Sequence, residues 1–306
     1  MISVIMSTYN ETSFEVGRCI DSILVQTYED IELIVICDNP NNEQVIAFLS
    51  TITDKRVHVY YNEKNKGLVY CLNRGLTLAK GEYIARVDAD DYCMRDRFNK
   101  QIKYLLDKDM DLIGGWTKLI NQDGKVIGEA IYPTEDRCIN KLINRQNCLA
   151  HPTWLGKKKM FEDVKGYRQI DYCEDYDFLL RVIKKGHRIG NLPDYCLFYQ
   201  IREESISREH LADQKIRSRY LASLNEQALE DYQSIKCYFQ SADYNCKIMK
   251  YQRYRDELKL IRHGKIYNII PMLFNVNTYY SIATKLRDNS IRNKEMKGRL
   301  VKAKHI

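Results

Sequence analysis

The sequence has 306 residues, of which 44% are hydrophobic and 29% charged, and its formal net charge is +7. No apolar run approaches the ~18 residues that a membrane-spanning helix needs. The modest positive charge suits anionic partners, but no nucleic-acid-binding motif occurs, so nucleic acid is excluded as a partner. The ten cysteines form no zinc-type CxxC pair, and no signal-peptide pattern opens the chain. These features predict reduced thiols and a cytoplasmic location.

The first third of the chain alternates short apolar runs with amphipathic segments. Four runs have the length and β-branched content of buried strands, and the segments between them space their apolar residues as helices do. This alternation predicts an α/β fold with a mostly parallel, Rossmann-like central sheet flanked by helices. The predicted strands are Ile2–Met6, Ile31–Cys37, Val57–Tyr61 and Tyr83–Val87, and the predicted helices are Glu15–Gln26, Gln44–Ser50 and Leu68–Ala79.

The rest of the chain divides into an irregular middle and a helical end. The middle is turn-rich around residues 151–168, and the part after Arg208 is charged and poor in Gly and Pro. The predicted middle elements are a helix at Asp96–Leu106, strands at Leu112–Trp116 and Thr117–Asn121 before a turn at Asp123–Gly124, and helices at Asp136–Asn147 and Glu174–Lys185. The predicted C-terminal helices are Arg208–Tyr238, Ala242–His263 and Tyr267 to the end.

Three carboxylates follow the predicted strand Tyr83–Val87, at positions Asp88, Asp90 and Asp91. In open α/β sheets this carboxyl edge is where ligands bind. Carboxylates this close repel one another unless a cation joins them, and a Mg²⁺ or Mn²⁺ ion with substrate phosphates would do so. The alternative is an acidic, solvated turn after a strand, and the three acids alone do not decide between the two.

Several short motifs surround these acids in a fixed order. They are Ser3–Glu11, Glu32–Asn39, Asn65–Leu68, Leu72–Gly75 and Gly81–Asp91. Together they resemble the nucleotide-sugar-binding half of family 2 glycosyltransferases with the GT-A fold, over the first 207 residues or so. The likeness is greatest to bacterial enzymes of capsule, exopolysaccharide and O-antigen synthesis. It implies a GT-A catalytic domain at 1–208, with a donor half at 1–110 and an acceptor half at 111–208, and a helical region at 209–306.

The resemblance assigns the donor site to residues after the first, second and fourth strands. Asp38 corresponds to the acid that reads the uracil base, although Cys37 replaces a second acid that is common there. The alternative for Asp38 is a strand-ending turn residue. Asp90 is the expected metal ligand, and Asp88 is expected to bind the ribose, a metal-bound water or the metal itself. The other expected donor-binding residues are Thr8, Tyr9, Glu11, Lys66 and Arg86.

The acceptor side resembles the family through Gly166–Arg168 and Glu174–Asp177. Asp175 is the implied general base, and Glu174 would orient the acceptor. Both acids could instead simply stabilise the first turn of a helix. His151 is implied to shape the sugar pocket, with a structural His as the alternative. A His that can reach the metal in some related sequences is absent here, and Arg202, in the matching region, could contact the diphosphate instead.

The resemblance implies an inverting, Mn²⁺- or Mg²⁺-dependent transfer of a hexose (glucose, galactose or N-acetylhexosamine) from a UDP-sugar. The acceptor would be a saccharide, lipid-linked in many relatives, in surface polysaccharide synthesis. Two alternatives are a nucleotidyltransferase and a non-catalytic sugar-nucleotide-binding protein. The loop Ser7–Asn10 lacks the Gly-rich, basic character of the first class, and the presence of Asp88, Asp90 and Asp175 argues against the second.

The C-terminal region suggests contact with an anionic surface. Residues 267–286 are apolar but interrupted by Pro271, which favours an interfacial over a spanning helix. The following stretch carries eight basic residues against two acidic ones, enough to favour an anionic leaflet at the inner face of the membrane. A helix packed on the catalytic domain, or on the partner of a homodimer, explains the same pattern.

Overall fold

The computed structural model describes residues 1–202 and 210–262. These form two compact units. One contains residues 1–139 and 147–202, and the other contains 140–146 and 210–262. The candidate site residues all lie in the first unit.

The N-terminal part of the first unit is a regular alternation of strands and helices. Helix α1 begins with a capping box, in which Thr12 and Glu15 satisfy each other's backbone N–H groups. The elements are β1 (Ile2–Thr8), α1 (Ser13–Leu24), β2 (Ile31–Cys37), α2 (Glu43–Ser50), β3 (Val57–Tyr61), α3 (Leu68–Leu78) and β4 (Tyr83–Asp88). Every predicted element of this part is present, with ends that differ by at most two residues.

The remaining elements of the first unit complete the sheet and cover it. They are β5 (Tyr92–Cys93), α4 (Arg97–Asp107), β6 (Leu112–Ile120), β7 (Val126–Ala130), α5 (Asp136–Leu142, of which 140–142 belong to the second unit), a 3₁₀ turn (His151–Thr153), β8 (Leu155–Lys157), α6 (Lys158–Asp163), α7 (Glu174–Lys184) and β9 (Ile189–Gln200).

One sheet runs through the first unit in the order β3-β2-β1-β4-β8-β6-β9-β5, with β7 paired to β6. Strands β3, β2, β1 and β4 are parallel. Strand β8 is antiparallel to β4 and β6, whereas β6 and β9 are parallel to each other. The predicted α/β class is confirmed, and the parallel order holds in the half that carries Asp38 and Asp88.

The core lies between the parallel strands and α1. Apolar residues of β1, β2 and β4 pack against one face of α1, where Val16, Cys19, Ile20 and Ile23 are buried. All ten cysteines fall in the described residues, and none of them is paired in a disulfide. None of the helices in the described ranges is long and apolar enough to cross a membrane.

The sequence predictions for the middle of the chain were wrong at several points. The two strands predicted at 112–121 are one strand, β6, whose pairing with β9 is irregular at Gly115–Thr117, where the prediction placed its break. Strand β9 was not predicted at all. Its partner register skips Pro193 and Asp194, and a proline within a run argues against a strand unless a bulge accommodates it. The helix predicted to reach Asn147 ends at Leu142.

The second unit is helical; the helix predicted at Ala242–His263 is present with its end within one residue, whereas the one predicted at 208–238 is divided. The stretch 208–238 contains breaks at Asn225 and Asp231, whose side chains accept hydrogen bonds from Ala228 N and Ser234 N and so begin new helices. The helices are α8 (Leu211–Ser223), α9 (Glu226–Glu230), α10 (Tyr232–Phe239) and α11 (Ala242–Arg262). The apolar segment 267–286 and the basic tail lie outside the described residues.

Candidate active site

The carboxyl ends of β1, β2 and β4 form one edge of the parallel sheet. Ser7 pairs with Asp88 across β1 and β4, and Thr8 pairs with Cys37 across β1 and β2. The register therefore places Thr8, Asp38 and Asp88 side by side, as the sequence prediction required. This is the edge at which open α/β sheets bind ligands.

The turn after β1 is held by Glu11. Its Oε2 accepts hydrogen bonds from Thr8 Oγ1 at 2.8 Å and from Tyr9 N at 2.6 Å. Asn42 Nδ2 donates to the carbonyl oxygens of Tyr9 and Glu11 from the neighbouring loop. Thr8 is buried, whereas the Tyr9 ring is 41% exposed. The three predicted residues are thus brought together, and Tyr9 presents an aromatic face at the edge.

Asp38 has a structural function that the sequence prediction did not include. Its side chain is buried, and its Oδ1 accepts hydrogen bonds from Asn62 Nδ2 at 2.6 Å and Lys66 N at 2.9 Å. Its Oδ2 accepts from Gly67 N at 2.8 Å. Gly67 has φ +84° and immediately precedes α3, a conformation that favours glycine. Asp38 therefore fixes the loop that carries Lys66 against the end of β2.

Arg86 is a buried cation at the centre of the site. Its guanidinium is 5% exposed and pairs through both terminal nitrogens with the Asp88 carboxylate, with Arg86 Nη1 2.7 Å from Oδ2. Its charge also acts on Asp91, Glu174 and Asp175. Arg86 thus lies within electrostatic reach of both the donor-side and the acceptor-side carboxylates.

The surroundings of Asp90 and Asp91 only partly compensate the negative charge of their ionised forms. Burial and the neighbouring Asp88 charge raise the pKa of Asp90 to about 7, although Arg202 opposes this, with its Nε 3.0 Å from Asp90 Oδ2. Asp91 Oδ1 accepts a hydrogen bond from Gln200 N at 2.8 Å, but its buried Oδ2 has no hydrogen-bond partner among the described residues. Burial, Asp88 and Asp90 raise the pKa of Asp91 as well.

These carboxylates fit a hard divalent ion whose remaining coordination positions are filled by substrate phosphates and water. Within residues 1–202 and 210–262, no group of three His, Cys, Asp or Glu side chains could hold a metal by itself. Mg²⁺ is usually bound through one or two carboxylates plus substrate phosphates and water. The raised pKa of Asp90 indicates that nearby positive charge does not fully compensate its ionised carboxylate. Asp90, with Asp88 beside it, could hold Mn²⁺ or Mg²⁺ in this way.

The acceptor-side acids lie at the start of α7. Asp175 Oδ2 accepts a hydrogen bond from Asn147 Nδ2 at 2.6 Å, and Oδ1 accepts from Tyr176 N at 2.6 Å. Burial raises the pKa of Asp175. Burial and the Asp175 charge raise the pKa of Glu174 to about 8, and the distant Asp88 charge acts in the same direction. Glu174 is therefore close enough to β4 to feel the donor-side acids.

His151 lies behind this site rather than at its surface. It is 8% exposed, its Nε2 is 2.9 Å from the Tyr167 hydroxyl, and its ring packs against Trp154. Burial and the Arg86 charge lower the pKa of His151, so the ring is neutral. Tyr167 in turn stacks on Phe178 of α7. His151 contacts aromatic side chains that support the acceptor side.

Sequence reasoning missed three asparagines that organise the site. Asn62 and Asn147 orient Asp38 and Asp175. Asn73 joins the two sides, since its Nδ2 donates to Tyr167 O at 2.9 Å and its Oδ1 accepts from Tyr167 N at 2.8 Å. Asn73 stood within a motif, but the other two are isolated residues in loops, and no local pattern distinguishes them from other asparagines.

Comparison with known sequences identifies similar proteins. The family model "Glycosyl transferase family 2" matches residues 3–165. The O-antigen biosynthesis glycosyltransferase WbnJ of Escherichia coli is 38% identical over 216 residues, which cover 69% of this chain and 84% of WbnJ. The amylovoran biosynthesis glycosyltransferase AmsE of Erwinia amylovora is 28% identical over 211 residues, covering 68% and 79% of the two chains.

Solved structures share the fold at low sequence identity. TarS of S. aureus, in complex with UDP-GlcNAc, superposes with a TM-score of 0.57 at 20% identity, covering 80% of this chain and 74% of TarS. The mannosyltransferase PcManGT of Pyrobaculum calidifontis, in complex with GDP-Man and Mn²⁺, has a TM-score of 0.57 at 14% identity, covering 96% and 86%. These likenesses establish the fold.

Proposed function

Because the chain belongs to glycosyl transferase family 2, we propose that it transfers a hexose from a UDP-sugar to a saccharide hydroxyl with inversion at the anomeric carbon. The family and the relatives place it among glycosyltransferases of polysaccharide biosynthesis. The observation that carries the proposal is the position of Arg86. Arg86 is hydrogen-bonded to Asp88 at the end of β4, and its charge also acts on Glu174 and Asp175 at the start of α7, which supports a site shared by the donor and the base candidate.

The donor is proposed to lie along the edge of β1, β2 and β4. The nucleoside would contact Thr8, Tyr9 and Glu11 on one side and Asp38 on the other. Asp38 accepts three hydrogen bonds from the protein, but each carboxylate oxygen has more than one acceptor position, so it can still accept the uracil N3–H. TarS supports UDP as the nucleotide, whereas PcManGT binds GDP-Man, so GDP-sugars are the alternative to test.

Asp90 is proposed to bind Mn²⁺ or Mg²⁺, with Asp88 beside it. When bound, the ion would neutralise the charge that develops on the departing diphosphate. Arg86 and Lys66 are the proposed cationic partners of the phosphates. Arg86 is fixed by its paired contact with Asp88, and Lys66 is carried by the loop that Asp38 holds.

Asp175 is proposed as the general base. In its ionised form it would take the proton of the acceptor hydroxyl as the oxygen bonds to the anomeric carbon and the diphosphate leaves from the opposite face. Burial raises its pKa, which makes the carboxylate a stronger base. Asn147 holds one oxygen, and Glu174 lies beside it to orient the acceptor.

The acceptor is proposed to be a saccharide, carried on a lipid at the inner face of the membrane. The relatives in O-antigen and amylovoran synthesis support a polysaccharide intermediate. The apolar and basic C-terminal residues 267–306 would supply contact with anionic lipid, or would pack against protein in a homodimer.

A panel of UDP- and GDP-sugars tests the proposal. Purified protein is incubated with each donor and Mn²⁺, Mg²⁺ or EDTA, and free nucleotide and sugar are measured. We expect metal-dependent release of UDP from one or a few UDP-sugars. Release of pyrophosphate from a sugar phosphate and UTP would instead identify a nucleotidyltransferase. Donor binding without turnover, with acceptor saccharides present, would indicate a non-catalytic protein.

A further inference from the structure

Arg202, which follows β9, is anchored to the first turn of α1. Its Nη2 donates to Glu15 Oε1 at 2.9 Å. Glu15 is itself fixed, because Oε1 also accepts from Gln200 Nε2 at 2.7 Å and Oε2 accepts from Thr12 N at 2.8 Å. One edge of the Arg202 guanidinium therefore has a well-defined position.

The Nε atom of the same guanidinium faces Asp90. Arg202 Nε lies 3.0 Å from Asp90 Oδ2, yet Nε is buried and has no hydrogen-bond partner among the described residues. The contact is a close approach of opposite charges without a directed hydrogen bond. Directed, charge-assisted bonds are the strong ones, so the Arg202–Asp90 contact is more easily exchanged than the contact that anchors Arg202 to Glu15.

Arg202 also borders a cavity of about 340 Å³ that suits an anion. The cavity is lined by a second cation, Arg18, by Thr12 and Gln200, and by the Glu15 carboxylate, which already accepts hydrogen bonds from Gln200 and Arg202. Arg18 is held by its Nη2, which donates to Gln200 Oε1 and to the carbonyl oxygen of Asp90. Two arginines therefore converge beside the carboxylate that the proposed function assigns to the metal.

We propose that Arg202 is an internal counter-ion of Asp90 that a divalent ion replaces, and that the released guanidinium then binds a phosphate of the nucleoside diphosphate. The inference rests on the proposed function, since it takes Asp90 as the metal ligand. A guanidinium and a divalent ion repel each other at one carboxylate. Metal binding to the nucleotide-free protein is therefore opposed by Arg202, and a diphosphate relieves the competition by offering Arg202 another anion.

This exchange predicts effects of opposite sign in one variant. Arg202→Met removes the competing charge, so the affinity of the nucleotide-free protein for Mn²⁺ should rise at least ~5-fold, the effect of a unit charge at ~4 Å even in water-like surroundings. The same variant should bind UDP without metal at least ~5-fold more weakly. Arg202→Lys keeps a point charge and should restore part of both properties. A residue that only supports the fold would not move the two affinities in opposite directions.

The experiment titrates Mn²⁺ into each variant and follows the free ion by electron paramagnetic resonance, and it measures UDP binding by calorimetry with EDTA. Arg202→Gln serves if the Met variant does not fold. Unchanged or weaker Mn²⁺ binding in the variants, while wild type binds Mn²⁺ in the presence of UDP, overturns this inference alone. Failure of wild type to bind Mn²⁺ even with UDP overturns both this inference and the metal assignment in the proposed function.

Discussion

Asp177 and Asp90 both pair with arginines in the first unit, but their surroundings differ. Asp177 is fully buried and accepts hydrogen bonds from Arg168 and from Arg181 Nε, the latter at 2.9 Å. Arg181 also donates to the carbonyl oxygens of Val164 and Gly166. Each contact in this cluster is a directed hydrogen bond, and two guanidinium groups compensate the charge of one carboxylate. The cluster ties α7 to the preceding loop.

In the donor-side cluster, the carboxylates outnumber the arginines. Asp88, Asp90 and Asp91 stand within four positions, with Arg86 paired to Asp88 and Arg202 beside Asp90. The pKa of Asp90 is raised to about 7, and one oxygen of Asp91 has no hydrogen-bond partner among the described residues. Perturbed carboxyls with unmet charge mark functional sites more often than structural ones. The comparison therefore contrasts an ion cluster whose charges are matched with the donor-side cluster, which the proposed function assigns to a ligand.

Asp90→Ala is the variant expected to have the largest effect on turnover. Turnover of the UDP-sugar identified in the panel should fall at least ~10³-fold, because the proposed ion loses its ligand. The free energy of unfolding should be unchanged or slightly higher, since an unfavourable charge is removed. Turnover is measured as UDP release and stability by urea denaturation. Near-normal turnover would contradict the metal assignment.

Asp177→Asn should show the reverse pattern. It leaves Arg168 and Arg181 buried without a counter-charge, which costs about 3–5 kcal/mol of stability. Turnover per folded molecule should change far less than in Asp90→Ala. Urea denaturation at pH 7 gives the stability, and activity is normalised to the folded fraction. A loss below ~1 kcal/mol would show that this cluster does not stabilise the fold.

Asp175→Asn is the matched substitution two residues earlier in the same helix. The amide keeps the shape of the carboxyl but cannot accept a proton, so turnover should fall at least ~100-fold, the usual scale of general base catalysis. Binding of UDP, measured by calorimetry with Mn²⁺, should be retained, and stability should stay close to that of wild type. Loss of UDP binding would instead assign Asp175 to the donor site or to the fold.

Glu174→Gln should alter the pH dependence of stability. Folding raises the pKa of Glu174 from 4.5 to about 8, so between these values the folded state binds more protons than the unfolded one. The free energy of unfolding of wild type should therefore fall as pH rises through this window. The variant lacks this contribution and should be more stable than wild type at pH 8 by about 4 kcal/mol, with little difference at pH 4.

Urea denaturation at pH 4, 6 and 8 measures this effect. Asp171→Asn, at an exposed position three residues earlier, is the control and should keep the wild-type slope. Identical slopes in wild type and Glu174→Gln would show that Glu174 is not buried against other charges as the structure places it.

The sequence by itself determined the parallel half of the fold and the positions of its acids. Strand length, helical spacing and the capping residues of α1 are local properties, so the elements from β1 to β4 could be located to within two residues. The acids at 38, 88, 90 and 175 were found because each stands in a motif at the end of a strand or the start of a helix. Prediction failed for β9, because the irregular pairing that accommodates Pro193 is decided by its neighbour β6.

Only the tertiary structure decided how these acids are paired and how far their charge is compensated. Two asparagines from loops and one from α3 orient Asp38, Asp175 and the Tyr167 backbone, and Arg202 reaches Asp90 across more than a hundred positions of sequence. Desolvation and charge balance depend on all atoms within a few ångströms, whichever part of the chain supplies them. A motif shows where a carboxylate stands along the chain, and the packing around it determines whether it binds a proton, an arginine or a metal ion.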